Sequence, residues 1–495
     1  METSAALYAR GDLDRAVAAL PRGAGAAAHA LLAQVELDRG NVAAALRCAQ
    51  DACAVARDRT EALIGRALRA VASAHLGAKP EDFSAHDLLG VDPEALDEAL
   101  IVIATASAIG ADVASAQGWL SLINTTNPHV LARKLLSQGH LAAATCAFGE
   151  QARLATVVVQ HLTPHAAQES TLFADAVQTY ADFAREMNLA TTVDISAVAE
   201  LAGVCDATRF YALRAQAWLL VLRSEYEAAL NVLIRATMYA HKPLAHVASQ
   251  LDLASAAIAC GDAHAPFARA ALDVAMAAAL RLIWEAESAS GVRLVPQLLQ
   301  VSAEMQCAAN RQRIERLAAH IFEDCTTRHS PGIVMRYEAL FHEAKAYAYR
   351  YDDPKFALSC AEQAYARFEK FQFDWRAGRI ALLVYQATGS HEWEGRAKNH
   401  LQAYAKSRFF RLLDGGNAQR LTRRQQEVLD GVLAGKSPVQ IALHLGIAED
   451  TVRKHLKPIM RHYGVKTRLQ LLARHFKDHD ATFHRSDVMG SGANP

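Results

Sequence analysis

Arg453, Lys454 and Lys457 lie within one short stretch, with Thr451 just ahead of them. On a helix, residues three and four apart are neighbours, so 457 shares a face with both 453 and 454. An Arg or Lys on such a face can reach guanine O6 and N7 in a major groove. Thr451, near the helix start, is placed to bond a phosphate, which a helix N-terminus also attracts. Lys436, Arg461, Lys466 and Arg468 stand where they would border the backbone of the same duplex. Each cation alone reads as a solvated surface charge, but the 453–457 cluster reads as a contact surface. The charge balance agrees. The whole chain has 52 basic and 52 acidic residues, yet residues 418–478 hold 12 basic and 5 acidic ones. A small basic module on a mildly acidic body suggests a nucleic-acid partner for the module.

The elements that must position these residues are short helices. Thr422, with Gln425 three positions on, opens an apolar run (Val428, Leu429, Val432, Leu433) that Gly435 can end. Ser437-Pro438-Val439-Gln440 starts a second helix, with Ser as cap, Pro at the first position and Gln returning at the third. Ile441, Ala442 and Leu445 give it an inward face, and Gly446-Ile447 makes a tight turn. A third helix runs from near Ala448 towards Tyr463, and a fourth follows Thr467. Two short helices joined by a tight turn, the second basic, describe a helix-turn-helix.

These residues resemble the C-terminal DNA-binding domain of LuxR/NarL-type transcription regulators. The pattern is carried by Leu421-Thr422, Glu427-Val428-Leu429, Gly435, Ser437, Ile441-Ala442, Leu445, Thr451-Val452, His455, Ile459, Gly464-Val465 and Arg468 in one ungapped frame. The resemblance implies a four-helix domain whose third helix enters the major groove of double-stranded DNA. It also implies a fourth helix, Arg468 to Phe476, that supports a homodimer on a two-fold operator. There are departures. Gln425 and Gln440 stand where the family usually has Glu, and Ala448 replaces a Ser cap, which typically loses about 1 kcal/mol. Glu449 and Asp450 favour the helix dipole but oppose phosphate. Pro458 removes a helical hydrogen bond and predicts a kink.

Residues 1–410 read as helix after helix, with no sustained strand alternation. Breaks fall near Pro21–Gly25, Lys79–Pro93, Thr126–Pro128, Thr163–Pro164, His241–Pro243, His329–Gly332 and Asp352–Pro354. One frame recurs: a turn residue, then Ala five and twelve positions later, with a small residue seven before the turn. It fits Ala33, Gly40, Ala45 and Ala52, and again Ala217, Ser224, Ala229 and Ala236. Ala132, Gly139 and Ala144 fit until Gln151; Gly11 to Ala16 and Ala357 with Ala364 are partial copies. This resembles tetratricopeptide repeats, so the expected architecture is all-α: a helical solenoid followed by the small helix-turn-helix domain. The layout expected is a helical-repeat body over 1–410, a Gly415-Gly416-Asn417 hinge within 411–420, the DNA-binding domain over 421–477 and a disordered tail over 478–495. It is similar to the repeat and DNA-binding parts of MalT-like regulators without their ATPase module.

Residues 337–375 hold 11 of the chain's 34 aromatic residues, from Tyr337 to Trp375, and read as repeat core ahead of a binding concavity. Other candidate sites fall away. The Gly431–Ser437 run has three residues between its glycines where a phosphate-binding loop needs four. His320, Cys325 and His329 lack a shared helical face, and Cys48 with Cys53 read as buried thiols. Leu100 to Ile123, the most apolar stretch, is diluted by Ala, Ser, Gly and Thr and reads as a buried helix pair, not a membrane span. No signal peptide, nucleophile pattern, metal site or cofactor site is expected. The reading is a cytoplasmic, non-enzymatic bacterial regulator whose body senses a small molecule or protein. The alternative is a tetratricopeptide-type adaptor with a degenerate helix-turn-helix.

Overall fold

The computed structural model describes residues 3–10, 12–20, 25–39, 41–79, 81–110, 112–184, 186–187, 189, 193–260, 264–285, 294–305, 312, 314–316, 318, 331–350, 352–405, 407, 413, 423–433, 436–462 and 471. Every regular element among them is helical. The chain divides into two compact units, Met1–Phe410 and Arg411–Pro495.

Local chemistry sets the helix boundaries of the first unit. Asp12, Asp58, Asp112, Asn127, Asp194 and Asp353 each cap a helix by accepting a first-turn N–H. Prolines open the helices Pro93–Ile109, Pro128–Ala144, Pro243–Cys260, Pro331–Tyr349 and Pro354–Phe371, at five of the breaks legible in the sequence. Helix ends repeat one closure, an N–H bonded to the carbonyl five residues back. It recurs at Asp12→Leu7, Asn41→Glu36, Ala78→Ser73, Asp112→Ser107, Ala147→Ala142, Glu225→Leu220 and Phe373→Phe368. A left-handed residue precedes the donor at Gly77, Cys146, Ser224 and Gln372, which is the turn that reverses the chain into a hairpin.

Successive helices pack on each other, and alternate ones also touch: Ala26–Asp38 on Arg59–His75, Pro93–Ile109 on Pro128–Ala144, and Ser170–Ala184 on Asp206–Leu222. That is the contact pattern of a stacked helical array. Ala33, Ala45, Ala52, Ala217, Ala229 and Ala236 are all fully buried where helices cross. One copy of the frame needs correction. Gly139 is not a turn but lies inside Pro128–Ala144, and the turn is Cys146, seven residues later. Gly139 therefore occupies the small-residue position. A Cβ there would stand 3.6 Å from Cγ of Gln151, in ordinary van der Waals contact, so Gly139 faces the residue at which the frame failed.

Distant parts of this unit also meet. A Cβ on Gly332 would fall 2.2 Å from the Ala143 carbonyl oxygen, so Pro331–Tyr349 crosses Pro128–Ala144 backbone to backbone. Tyr404 Oη donates to the Glu186 carbonyl at 3.1 Å, and Lys242 Nζ to that of Asp38 at 3.3 Å. The aromatic-rich stretch is mostly core. Phe371 meets Phe148 edge-on at 5.0 Å, and Phe373 lies 5.5 Å from Phe148 and 6.0 Å from Phe183.

The apolar stretch 100–123 is divided between Pro93–Ile109 and Val113–Leu122, and no helix among the described residues is long and apolar enough to cross a membrane. Cys48 and Cys53 are partly buried free thiols, and burial pushes both above the ordinary thiol range. Of the 411–420 segment only Leu413 is described, and it is buried. His320, Cys325, His329 and the 478–495 tail lie outside the described residues.

Candidate functional site

In the second unit, three helices, Arg423–Leu433, Pro438–Leu445 and Glu449–His462, pack around Val428, Leu429, Val432, Ile441, Ala442, Val452, Leu456 and Ile459. Leu471 closes the same core and is the one residue of the expected fourth helix that is described. The second helix starts as its sequence dictates. Ser437 Oγ accepts from Gln440 N, and Gln440 Oε1 accepts from Ser437 N at 2.8 Å. Gln440 therefore does the capping work of the more usual Glu without its charge. Gly446, at φ 63°, ends the helix, and Ile447 N bonds back to the Ala442 carbonyl at 3.0 Å. The third helix then begins with Thr451 N and Val452 N donating to the Ala448 carbonyl, and it continues through Pro458 to His462.

Glycine permits the first crossing. A Cβ on Gly431 would lie 2.8 Å from Cγ1 of Ile441, so the run that fails as a phosphate loop instead packs two helices together. Sequence reasoning missed Arg424. Its Nη1 pairs with Glu427 at 2.6 Å and its Nη2 donates to the Leu445 carbonyl at 3.1 Å, clamping the end of the second helix. The i, i+3 spacing of Arg424 and Glu427 was the available signal.

Val452, Leu456 and Ile459 turn the third helix inward, which leaves Arg453, Lys454 and Lys457 exposed. Two of these three cations are already engaged. Arg453 Nη2 lies 2.7 Å from Glu449 and Lys454 Nζ 2.9 Å from Asp450, each pair one turn apart. The hydrogen bond from Lys454 holds the Asp450 carboxyl below its ordinary range. The acidic pair thus shields the basic face, in addition to lying near the helix start. Thr451, His455 and Lys436 are partly buried. Lys466, Arg468 and the side chain of Arg461 lie outside what is described.

Residues 419–474 match the family of bacterial regulatory proteins, luxR family. A search of curated proteins gives no match to the chain. The C-terminal segment is thus a LuxR-family helix-turn-helix, a DNA-binding fold that supports transcription regulation as the chain's class of function.

The first unit holds a cavity of about 220 Å³. Its walls come from Ser170–Ala184, Asp206–Leu222, Pro243–Cys260, Val295–Glu304, Pro331–Tyr349 and Asp374–Thr388, largely the alternate helices of the array. Arg214 Nε bonds Asp252 at 2.5 Å and its Nη1 bonds Asp182 at 3.3 Å. Arg376 pairs with Glu186 at 2.8 Å and with Glu343. Burial opposes the charge of both arginines, but their carboxylates outweigh it and hold both above the ordinary guanidinium value. Elsewhere in this unit, Glu227, Cys260 and His264 bring metal-ligand atoms within 4.8 Å of one another. Glu227 is exposed, and three donors fall short of a closed structural site.

Proposed function

We propose that the chain is a sequence-specific regulator of transcription that reads DNA with Glu449–His462. Arg453, Lys454 and Lys457 face the base edges, Thr451 meets a phosphate, and Lys436, Arg461, Lys466 and Arg468 hold the flanking backbone. Two copies bind a two-fold operator. The tetratricopeptide-like body over 1–410 senses a small molecule or protein, and its state passes through 411–420 to the reader over 421–477 as a population shift. The observation that carries this reading is the exposed basic face on a helix whose opposite face closes a LuxR-family core.

The test is capture of genomic fragments by the full chain and by the Arg453→Ala/Lys454→Ala/Lys457→Ala variant, followed by sequencing. Enrichment of a two-fold motif that the variant loses is the expected result. Absence of enrichment by both the full chain and the 415–480 segment would remove the regulator reading. The adaptor reading has one observation in its favour, the pairing of Arg453 and Lys454 with Glu449 and Asp450. DNA binding that weakens steeply with salt excludes it, because phosphate contacts release counterions.

A further inference from the structure

We infer that Glu227, Cys260 and His264 form an open binding site on the body for zinc or a chemically similar divalent cation. The three come from one corner of the array. Glu227 lies in the first turn of Tyr226–Thr237, Cys260 is the last residue of Pro243–Cys260, and His264 directly precedes Ala265–Glu285. These helices share one apolar core, with Leu230, Leu251 and Leu272 buried in it. Packing therefore sets where the three donors sit before any cation binds. Their ligand atoms all lie within 4.8 Å of one another. The spacing suits a shared cation better than direct pairing. His264 Nε2 stands 3.6 Å from Glu227 Oε1, too far for a hydrogen bond. Two nitrogen or oxygen ligands of one tetrahedral zinc, each about 2.0–2.2 Å from the metal, stand roughly 3.4 Å apart. The other ring nitrogen, Nδ1, is buried and has no hydrogen-bond partner among the described residues. Neither nitrogen is committed to a hydrogen bond, so the imidazole is available as a donor. Cys260 beside it is a free thiol, packed against the apolar core.

The donor set selects the cation. Thiolate and imidazole favour zinc, whereas calcium and magnesium call for oxygen ligands. A thiolate and a carboxylate together balance the charge of a divalent ion, with the imidazole neutral. Cys260 gives up its proton to solvent as the ion binds. Three protein donors leave a fourth position for water, so the ion exchanges with solvent instead of being sealed in. Glu227 is the exposed donor and marks the side from which the ion enters. Once bound, the ion ties the first turn of one helix to the end of the second and the start of the third. Its binding free energy adds to the stability of that segment.

No step of the test depends on DNA binding. The full chain is freed of metal with a chelator and titrated calorimetrically with zinc, and cobalt serves as a spectroscopic stand-in. Cobalt should give a near-ultraviolet thiolate-to-metal band and the intense visible bands of four-coordinate geometry. Cys260→Ser should lose the ultraviolet band. Cys260→Ser and His264→Gln should each weaken zinc binding roughly a hundredfold, and Glu227→Gln roughly tenfold. Glu227 is exposed, so its replacement leaves the core intact and tests the site even where one of the other variants fails to fold. Zinc should raise the melting temperature of the metal-free wild type and leave that of Cys260→Ser unchanged. Calcium and magnesium should not compete. A cobalt–thiolate band that survives Cys260→Ser, zinc affinity unchanged in Glu227→Gln or His264→Gln, equal competition by magnesium, or no zinc binding at all would each overturn the site.

Discussion

At the scale of single residues, the third helix of the reader holds its own competitor. Glu449 and Asp450 occupy Arg453 and Lys454 one turn away, and a duplex bound in the proposed way would have to displace them. Both pairs are solvent-exposed, so the displacement is inexpensive. Glu449→Gln/Asp450→Asn should therefore tighten DNA binding a few-fold in a fluorescence-anisotropy titration, most clearly at low salt; weaker binding would mean that the acidic pair contacts the complex directly. Arg453→Ala should act in the opposite direction by roughly 1–3 kcal/mol and relax preference at one base position. A partly buried histidine contributes to acid sensitivity. Burial, together with Arg367 and Lys345, pushes His342 down to about 4 from 6.5, and its Nδ1 is buried with no hydrogen-bond partner among the described residues. Between those values the unfolded chain binds the proton and the folded chain does not, so stability rises with pH across this window. Acidification below 6.5 should progressively remove the part of the stability that depends on neutral His342, complete near 4, while Asp175, raised to about 7 by burial, works in the opposite sense. Denaturant midpoints for His342→Gln should show a flatter dependence over the same range, and an unchanged slope would show that other groups dominate it.

At the scale of elements, glycines at crossings matter more than glycines at turns. Gly431→Ala would drive a Cβ into Ile441, a β-branched residue that is itself buried in the core. The reader should lose roughly 1–3 kcal/mol, seen as faster hydrogen exchange at Val452 and Leu456 while the amides of the body keep their protection. Equal protection in the variant would mean that the first two helices can separate without cost. The reader was legible in the sequence because its signals are local. A Ser cap, a proline at the first helical position, a Gly turn and apolar spacing all fall within a short span, so the second helix and the inward face of the third are where the residues put them. The body was legible as helices and breaks but less so in register. Gly139 and Cys146 show why. A small residue at a close crossing and a residue at a left-handed turn can both be glycine, and only the position of the chain reversal tells them apart. The cavity could not be read at all, because Arg214, Arg336 and Arg376 come from separate helices and meet only in three dimensions.

At the scale of the molecule, a chain of balanced charge separates its signs, with the excess of basic residues confined to the end that would meet DNA. Counterion release depends on the phosphates actually contacted, so the salt dependence of binding counts contacts whatever the charge of the body. It can also count copies. Lys436 is placed beside the second helix, where it would touch the backbone once per protomer. Its replacement by Ala removes one contact if a single chain binds and two if a two-fold pair binds. Each lost contact shallows the slope of log K against log salt by about 0.9. A change of about 0.9 for Lys436→Ala therefore means one reader on the duplex, whereas about 1.8 means two readers in equivalent positions. We expect the larger change, because one reader of this size spans a single half-site and the specificity of a two-fold operator comes from engaging both halves. A half-sized operator should return the smaller value with the same protein, so the measurement carries its own control.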